Sequence, residues 1–244
     1  MLTIKAMAGG ETYARHHLSN NDYYSVGETI TGEWIGCGAR AGGSRQHGTV
    51  RCHPRQGIDP ATGEFLRQRQ SADRFNIDGE KFATARNLYD FTVSAPKDLS
   101  IQALEDPRLI EAHHAGVAAL AEEMERLAGA RIRKLGANDT RQTSNLVIAR
   151  YDHDTSRELD PQLHTHLVAG NLTYDGVEGK WKALQASEIY AEREYLTEVY
   201  RNAAAAVVSG LGYQIEDRFE HGKDNGFGIV GLSEATREKY SRRA

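Results

Sequence analysis

Three histidines carry the clearest capacity for chemistry in this chain: His153, and the pair within His164-Thr165-His166. On a β-strand, residues i and i+2 point to the same face, so a strand through 163–171 aims both His164 and His166 at one spot. A hairpin partner ending near His153 brings in a third imidazole. Three such rings can surround one divalent ion and leave open positions for substrate or water, and two paired strands supply the rigid support that a catalytic metal site needs. The competing reading is of incidental polar histidines, since His-x-His alone is common on surfaces. His16-His17 and His113-His114 are adjacent pairs whose side chains diverge, and they read as structural.

Asp90 is the next candidate. It lies with Thr92 on the polar side of an alternating stretch, and a carboxylate beside a metal-ligating histidine fixes the tautomer of that ring. Otherwise it is an exposed strand carboxylate. Tyr13, Tyr23 and Tyr24 sit among polar residues near the N-terminus. A phenol with a pKa of about 10 is a weak nucleophile at neutral pH unless a cation or base assists it. Taken alone, the three tyrosines read more simply as interface aromatics half-buried at an element end. Tyrosines together with a metal site are nevertheless what transesterification of a phosphodiester requires: the metal neutralises phosphate oxygens and the phenol forms a covalent phospho-enzyme.

The elements that must position these groups are readable from periodicity. Leu2–Ala6 is a short strand candidate, Glu11–Leu18 a helix, and residues 36–64, rich in glycine, a loop. Tyr89, Phe91 and Val93 alternate with Asp90, Thr92 and Ser94, which predicts a half-buried strand ended by Ala95-Pro96. Apolar residues from Leu109 to Leu127 recur at i, i+3, i+4 and predict a long amphipathic helix over 107–128. Asn145–Arg150 and Leu163–Asn171 form an antiparallel hairpin across the polar stretch Asp152–Asp160. Ser187 is placed to cap a second long helix that carries Tyr190, Arg193, Leu196, Tyr200, Ala203 and Val207 along one side, and Gly210 and Gly212 end it. The fold class expected is α+β with a largely antiparallel sheet.

Composition narrows the classes. The 244 residues are 39% hydrophobic and 26% charged, which suits a folded globular chain rather than a disordered one. No apolar run approaches the roughly 18 residues of a membrane span, and the N-terminus lacks a signal core. Two cysteines, neither in a CxxC, exclude a disulfide framework and suit a reducing cytoplasm. A net charge of −4 argues against indiscriminate nucleic-acid binding, yet the charge is uneven. Between Arg126 and Arg150 there are six basic residues and one acid, a strip that could meet phosphates or be merely solvated.

Several stretches together resemble the TrwC/TraI-type (MobF) conjugative relaxases of the HUH endonuclease superfamily. They are Asn20–Tyr24, Gly32-Glu33-Trp34, Gly36–Ala39, Asp90–Ser100, Asn145–Ile148, His153–Arg157 and Asp160–His166. The resemblance spans nearly the whole chain and implies a central, mainly antiparallel five-stranded sheet with flanking helices. It implies that His153, His164 and His166 are the metal triad, and that Asp90 orients a ligand histidine and helps activate the tyrosine. Tyr13 would make the first nick, and Tyr23 and Tyr24 the later strand transfer. In that family the first tyrosine is usually doubled; here Ala14 follows Tyr13.

The expected activity is therefore site- and strand-specific cleavage and transfer of DNA at a plasmid transfer origin through a 5′-phosphotyrosine. The cofactor would be a divalent ion: Mg2+ or Mn2+ by family, with Zn2+ or Ni2+ also suited to imidazoles. Partners would be single-stranded or hairpin origin DNA and other relaxosome and conjugation proteins, in the cytoplasm, with Lys97 and Arg150 touching phosphate. Residues 1–244 would form one relaxase domain that stops short of a helicase region. The rival readings are a rolling-circle initiator or transposase of the same superfamily, a three-histidine hydrolase or lyase acting on a small molecule, and a non-catalytic DNA-binding remnant.

Overall fold

A computed structural model describes residues 1–7, 33–36, 74–75, 81–83, 88–134, 137–156, 158–220 and 222–241. The chain runs through β1 (Leu2–Met7), β2 (Glu33–Ile35), β3 (Arg74–Phe75), β4 (Lys81–Ala83) and β5 (Leu88–Ser94) into two helices, α1 (Lys97–Gln102) and α2 (Leu109–Arg126). Seven strands follow: β6 (Gly129–Lys134), β7 (Ala137–Gln142), β8 (Ile148–Thr155), β9 (Pro161–Gly170), β10 (Thr173–Asp175), β11 (Lys180–Lys182) and β12 (Leu184–Gln185). The chain ends with α3 (Ser187–Ala191), α4 (Arg193–Gly210), β13 (Ile215–Glu220), β14 (Lys223–Ile229) and α5 (Glu234–Lys239). The fold is α+β. Its central sheet has five strands in the order β1-β5-β9-β8-β2, each neighbouring pair antiparallel.

Alternation along the strands gives the sheet two different faces. Leu2, Phe91, Val93, Leu163 and Leu167 share one face and join the hydrophobic core beneath α2 and α4. The buried stripe of α2 is Leu109, Ala112, His113, Gly116, Val117, Leu120, Ala121 and Met124, close to the periodicity in the sequence. At Gly116 the two long helices approach closely. A Cβ there would lie 2.6 Å from the Tyr200 ring, so only glycine admits this approach.

Five features depart from the sequence reading. β5 is more buried than a half-buried strand: Phe91 and Val93 lie in the core, and on the other face Asp90, held against His166, is only 2% exposed while Thr92 and Ser94 are partly so. The hairpin strands extend well into the polar stretch, so the connection shrinks to residues 156–160. The second long helix breaks at Glu192, and its buried line is Leu196, Thr197, Tyr200, Ala204 and Val208, one position round from Ala203 and Val207. Ser187 is the first residue of α3, whose N-cap is Ala186. The β6–β7 hairpin has no apolar alternation strong enough to announce it. Glu11–Leu18 and the loop over 36–64 fall almost wholly outside the described residues, apart from Gly36. Among the described residues no helix is long and apolar enough to cross a membrane.

Glycine-to-alanine in a helix interior ordinarily stabilises by about 1 kcal/mol. Gly116→Ala should do the reverse, lowering the unfolding free energy by roughly 1–3 kcal/mol through overpacking against Tyr200. Chemical denaturation reads this directly, and an unchanged or raised midpoint would contradict the close approach.

Candidate metal centre

The register of the central sheet assembles the site. His153 on β8 lies directly opposite His164 on β9, and His166, two residues on, lies opposite Tyr151. On the other side of β9, Ser94 faces His164 and Thr92 faces His166, so Asp90, two residues before Thr92, shares the same surface. Three adjacent strands thus place Asp90, Thr92, His153, His164 and His166 on the sheet face opposite α2 and α4. The ring centroids form a near-regular triangle: 4.9 Å for His153–His164, 5.3 Å for His153–His166 and 5.4 Å for His164–His166.

That spacing suits a shared ion. With metal–nitrogen bonds of about 2.0–2.1 Å, rings around a tetrahedral centre sit roughly 5 Å apart. Their orientation is less convergent. His153 and His164 stack at 15°, and no group of three His, Cys, Asp or Glu among the described residues gathers its donor atoms as a ligand set. The backbone therefore supplies the positions, while coordination needs ring rotation.

Hydrogen bonds set two of the rings for that task. Nδ1 of His166 lies 2.9 and 3.0 Å from the two Asp90 oxygens, and a carboxylate can only accept, so Nδ1 carries the proton. The Thr92 hydroxyl lies 3.2 Å from the same Nδ1 and donates to Asp90 at 3.4 Å. Nδ1 of His164 donates to the Gln162 carbonyl at 2.9 Å. In both rings the lone pair is left on Nε2, the atom able to bind a metal. Burial holds the His153 pKa down to about 3, helped by its two histidine neighbours, and burial lowers His164 as well. Neutral imidazoles are the form a metal takes. The donor set fits a divalent ion.

The family-model comparison matches residues 7–244 to the TrwC relaxase family. The chain belongs to that family. It is 31% identical over 235 residues to the multifunctional conjugation protein TraI of Escherichia coli strain K12, covering 91% of this chain. It spans 13% of the length of that relative. Among solved structures, the conjugative relaxase TrwC in complex with oriT DNA, metal-bound, shares 31% identity with a TM-score of 0.78, over all of this chain and 80% of that one. TrwC complexed with a 27-mer DNA comprising the recognition hairpin and the cleavage site gives 29% identity and a TM-score of 0.75, over all of this chain and 79% of that one.

For this relaxase-family chain, then, four of the seven site residues expected from sequence come together. Tyr13, Tyr23 and Tyr24 lie outside the described residues. Thr92, which the sequence placed beside Asp90 without giving it a role, touches both Asp90 and His166. Arg150 is placed differently from the expectation. It sits on the helix side of the sheet, opposite Leu167 and Glu33, and its guanidinium pairs with Asp152 at 3.0 Å. Lys97 donates to the Pro161 carbonyl at 3.1 Å, and burial pulls its pKa below that of an ordinary lysine. It lines a cavity of about 1120 Å3 that none of the three histidines lines.

The basic strip is also thinner than its composition suggests. Arg126 pairs with Glu122 and Glu123, Arg141 with Asp175, and Arg150 with Asp152. Arg131 and Arg133 remain exposed on β6.

The tautomers are directly observable. Long-range 1H–15N correlation spectra should find both His164 and His166 protonated on Nδ1 in the metal-free protein. An Nε2-protonated His166 would contradict its bond to Asp90.

Proposed function

We propose that this chain is a relaxase domain that nicks one DNA strand at a plasmid transfer origin during conjugation and holds the 5′ end covalently on a tyrosine. The observation that carries this is the histidine trio on one sheet face with Asp90 bonded to His166, within a chain of the TrwC relaxase family. The similar TrwC structures in complex with oriT DNA, one metal-bound and one metal-free, support DNA at an origin as the substrate and a divalent ion as the cofactor. Mg2+ or Mn2+ are the working ions we favour, with Zn2+ and Ni2+ compatible with imidazole. Relaxosome proteins as further partners, a cytoplasmic location and a single domain over residues 1–244 belong to the same reading.

His153, His164 and His166 would hold the ion, which when bound supplies positive charge against the scissile phosphate oxygens. The protein's own groups do the rest. Asp90 fixes His166 in the Nδ1-protonated form through a hydrogen bond that also limits ring rotation. The Tyr13 phenol oxygen attacks phosphorus, a P–O bond forms, and the bond to the 3′ oxygen breaks, that oxygen taking a proton from solvent to become a free 3′-hydroxyl. The phenol proton must leave as the bond forms, because only about 0.1% of a free tyrosine is ionised at pH 7. Asp90 is the carboxylate at hand to accept it. Tyr23 and Tyr24 would serve the later strand transfer.

Incubation with a supercoiled plasmid carrying the native origin, followed by protease treatment, tests the whole reading; a 5′-blocked, protease-sensitive nick is the expected product. On an origin oligonucleotide, Tyr13→Phe should abolish the covalent adduct while binding persists, and Tyr24→Phe should leave the adduct nearly intact. Asp90→Ala should slow its formation roughly 10- to 100-fold. Peptide mapping that places DNA on Tyr23 would reassign the nucleophile, and nicking retained with Tyr13, Tyr23 and Tyr24 all changed to Phe would overturn the phosphotyrosine mechanism. For binding, Arg131→Glu with Arg133→Glu should flatten the plot of log affinity against log salt by about 0.7 for each single-strand phosphate the protein no longer neutralises. An unaltered slope would make those arginines bystanders.

A further inference from the structure

Behind the histidine site, on the helix side of the sheet, lies a chain of polar groups that the reaction above does not use. Thr165 sits between His164 and His166 in sequence but points the opposite way, and it is fully buried. Its hydroxyl lies 2.5 Å from an Asp152 oxygen, and His113 Nε2 lies 2.9 Å from the same hydroxyl. His113 Nδ1 in turn lies 2.8 Å from the Tyr200 hydroxyl. Only one arrangement of protons satisfies all three bonds. A carboxylate accepts, so the single Thr165 proton goes to Asp152, and its oxygen must then accept from His113. His113 is therefore protonated on Nε2, and its Nδ1 accepts from Tyr200. Burial holds the His113 pKa down to about 3, in keeping with a neutral ring. The carboxylate end is anchored by Arg150 at 3.0 Å.

This chain joins four separate elements, α4, α2, β9 and β8, at the one β9 residue that lies between two of the histidines. Tyr200, His113 and Thr165 are buried and Asp152 closes the chain at the surface, and a hydrogen-bonded network of this kind specifies one position for the groups it connects. We propose that Thr165, held by His113 and Tyr200, is a positioning residue for the metal site. It fixes the depth and rotation of the 164–166 backbone against α2, and so the separation of His164 and His166 from His153. Any shift of β9 along or across the sheet moves both ligand rings at once, so the network acts on coordination geometry rather than on DNA binding. The inference rests on the metal reading given under Proposed function.

Titration with Mn2+ followed by calorimetry tests it, with a parallel measurement of origin-oligonucleotide binding in chelator. Thr165→Val keeps the shape, removes the hydroxyl and should weaken Mn2+ binding roughly tenfold or more, as loss of supporting shells around metal ligands does. Oligonucleotide binding in chelator should stay unchanged, and Thr165→Ser should restore Mn2+ affinity. Tyr200→Phe, at the far end of the chain, should lower Mn2+ affinity in the same direction by less. It decides the question alone if Thr165→Val does not fold. Unchanged Mn2+ affinity in Thr165→Val, or in Tyr200→Phe where that variant alone folds, overturns the inference while loss of Mn2+ binding in His164→Ala leaves the metal reading standing. Unchanged Mn2+ affinity in His164→Ala overturns the metal reading and the positioning role with it.

Discussion

The antiparallel pairing of β8 with β9 is the constraint on which the site depends. Side chains on a strand alternate between faces, so slipping this pair by one residue would carry His153 to the core side while His164 and His166 stayed behind. The turn that sets the register is short. Ser156 donates its backbone N–H to the Asp160 carbonyl at 2.8 Å, its hydroxyl accepts from Asp160 N at 3.2 Å, and Leu159 takes a positive φ of 61°. A register shift between His153 and Thr155 absorbs the change from ladder to turn just beyond the ligand position. The histidines are thereby brought together by backbone hydrogen bonds, before any side-chain interaction acts.

β9 occupies the middle of the sheet, and this explains its mixed character. One face carries the imidazoles and Asp90; the other packs Leu163 and Leu167 into the core beneath α2 and α4. Thr165 is the polar exception on the apolar face, and it is tolerated there because His113 and Asp152 satisfy it. A second polar linkage ties the last described helix to the helix that follows β5. Arg237 of α5 makes a two-pronged pair with Asp98 of α1, both bonds 2.7 Å, and Asp98 also accepts from the backbone N–H of Ile229 in β14. The C-terminal elements are thus tied to the corner that follows β5, one strand from the histidines.

Charge is organised in the same manner. Much of the basic surplus between Arg126 and Arg150 is matched locally, with Arg141 and Lys182 converging on the buried Asp175 carboxylate to brace the β10–β11 turn. Exposed pairs such as Arg126 with Glu122 and Glu123 contribute little to stability and leave less positive field at the surface. Among the described side chains of the strip, Arg131 and Arg133 of β6 remain exposed to solvent.

Much of this was legible in the residues themselves. His164-Thr165-His166 could only converge if 163–171 were a strand, and the alternation Tyr89, Phe91, Val93 placed Asp90 and Thr92 together. Both follow from the two-residue period of extended backbone, a local property. The long amphipathic helix after Leu109 was equally local. What periodicity could not reach was strand order: β5 lies between β1 and β9, which buries Asp90 against His166 instead of leaving it exposed. Nor could it reveal that Arg150 and Asp152 lie on the helix side of the sheet, or that His113 bridges Thr165 to Tyr200. The contacts of His113 with Thr165 and with Tyr200 join groups 52 and 87 residues apart in the chain. Which side chains share a face follows from neighbouring dihedral angles, so the residues alone were enough to set it. Which faces meet was settled only in the folded chain, because that depends on long-range packing of helices and strands that no local pattern encodes.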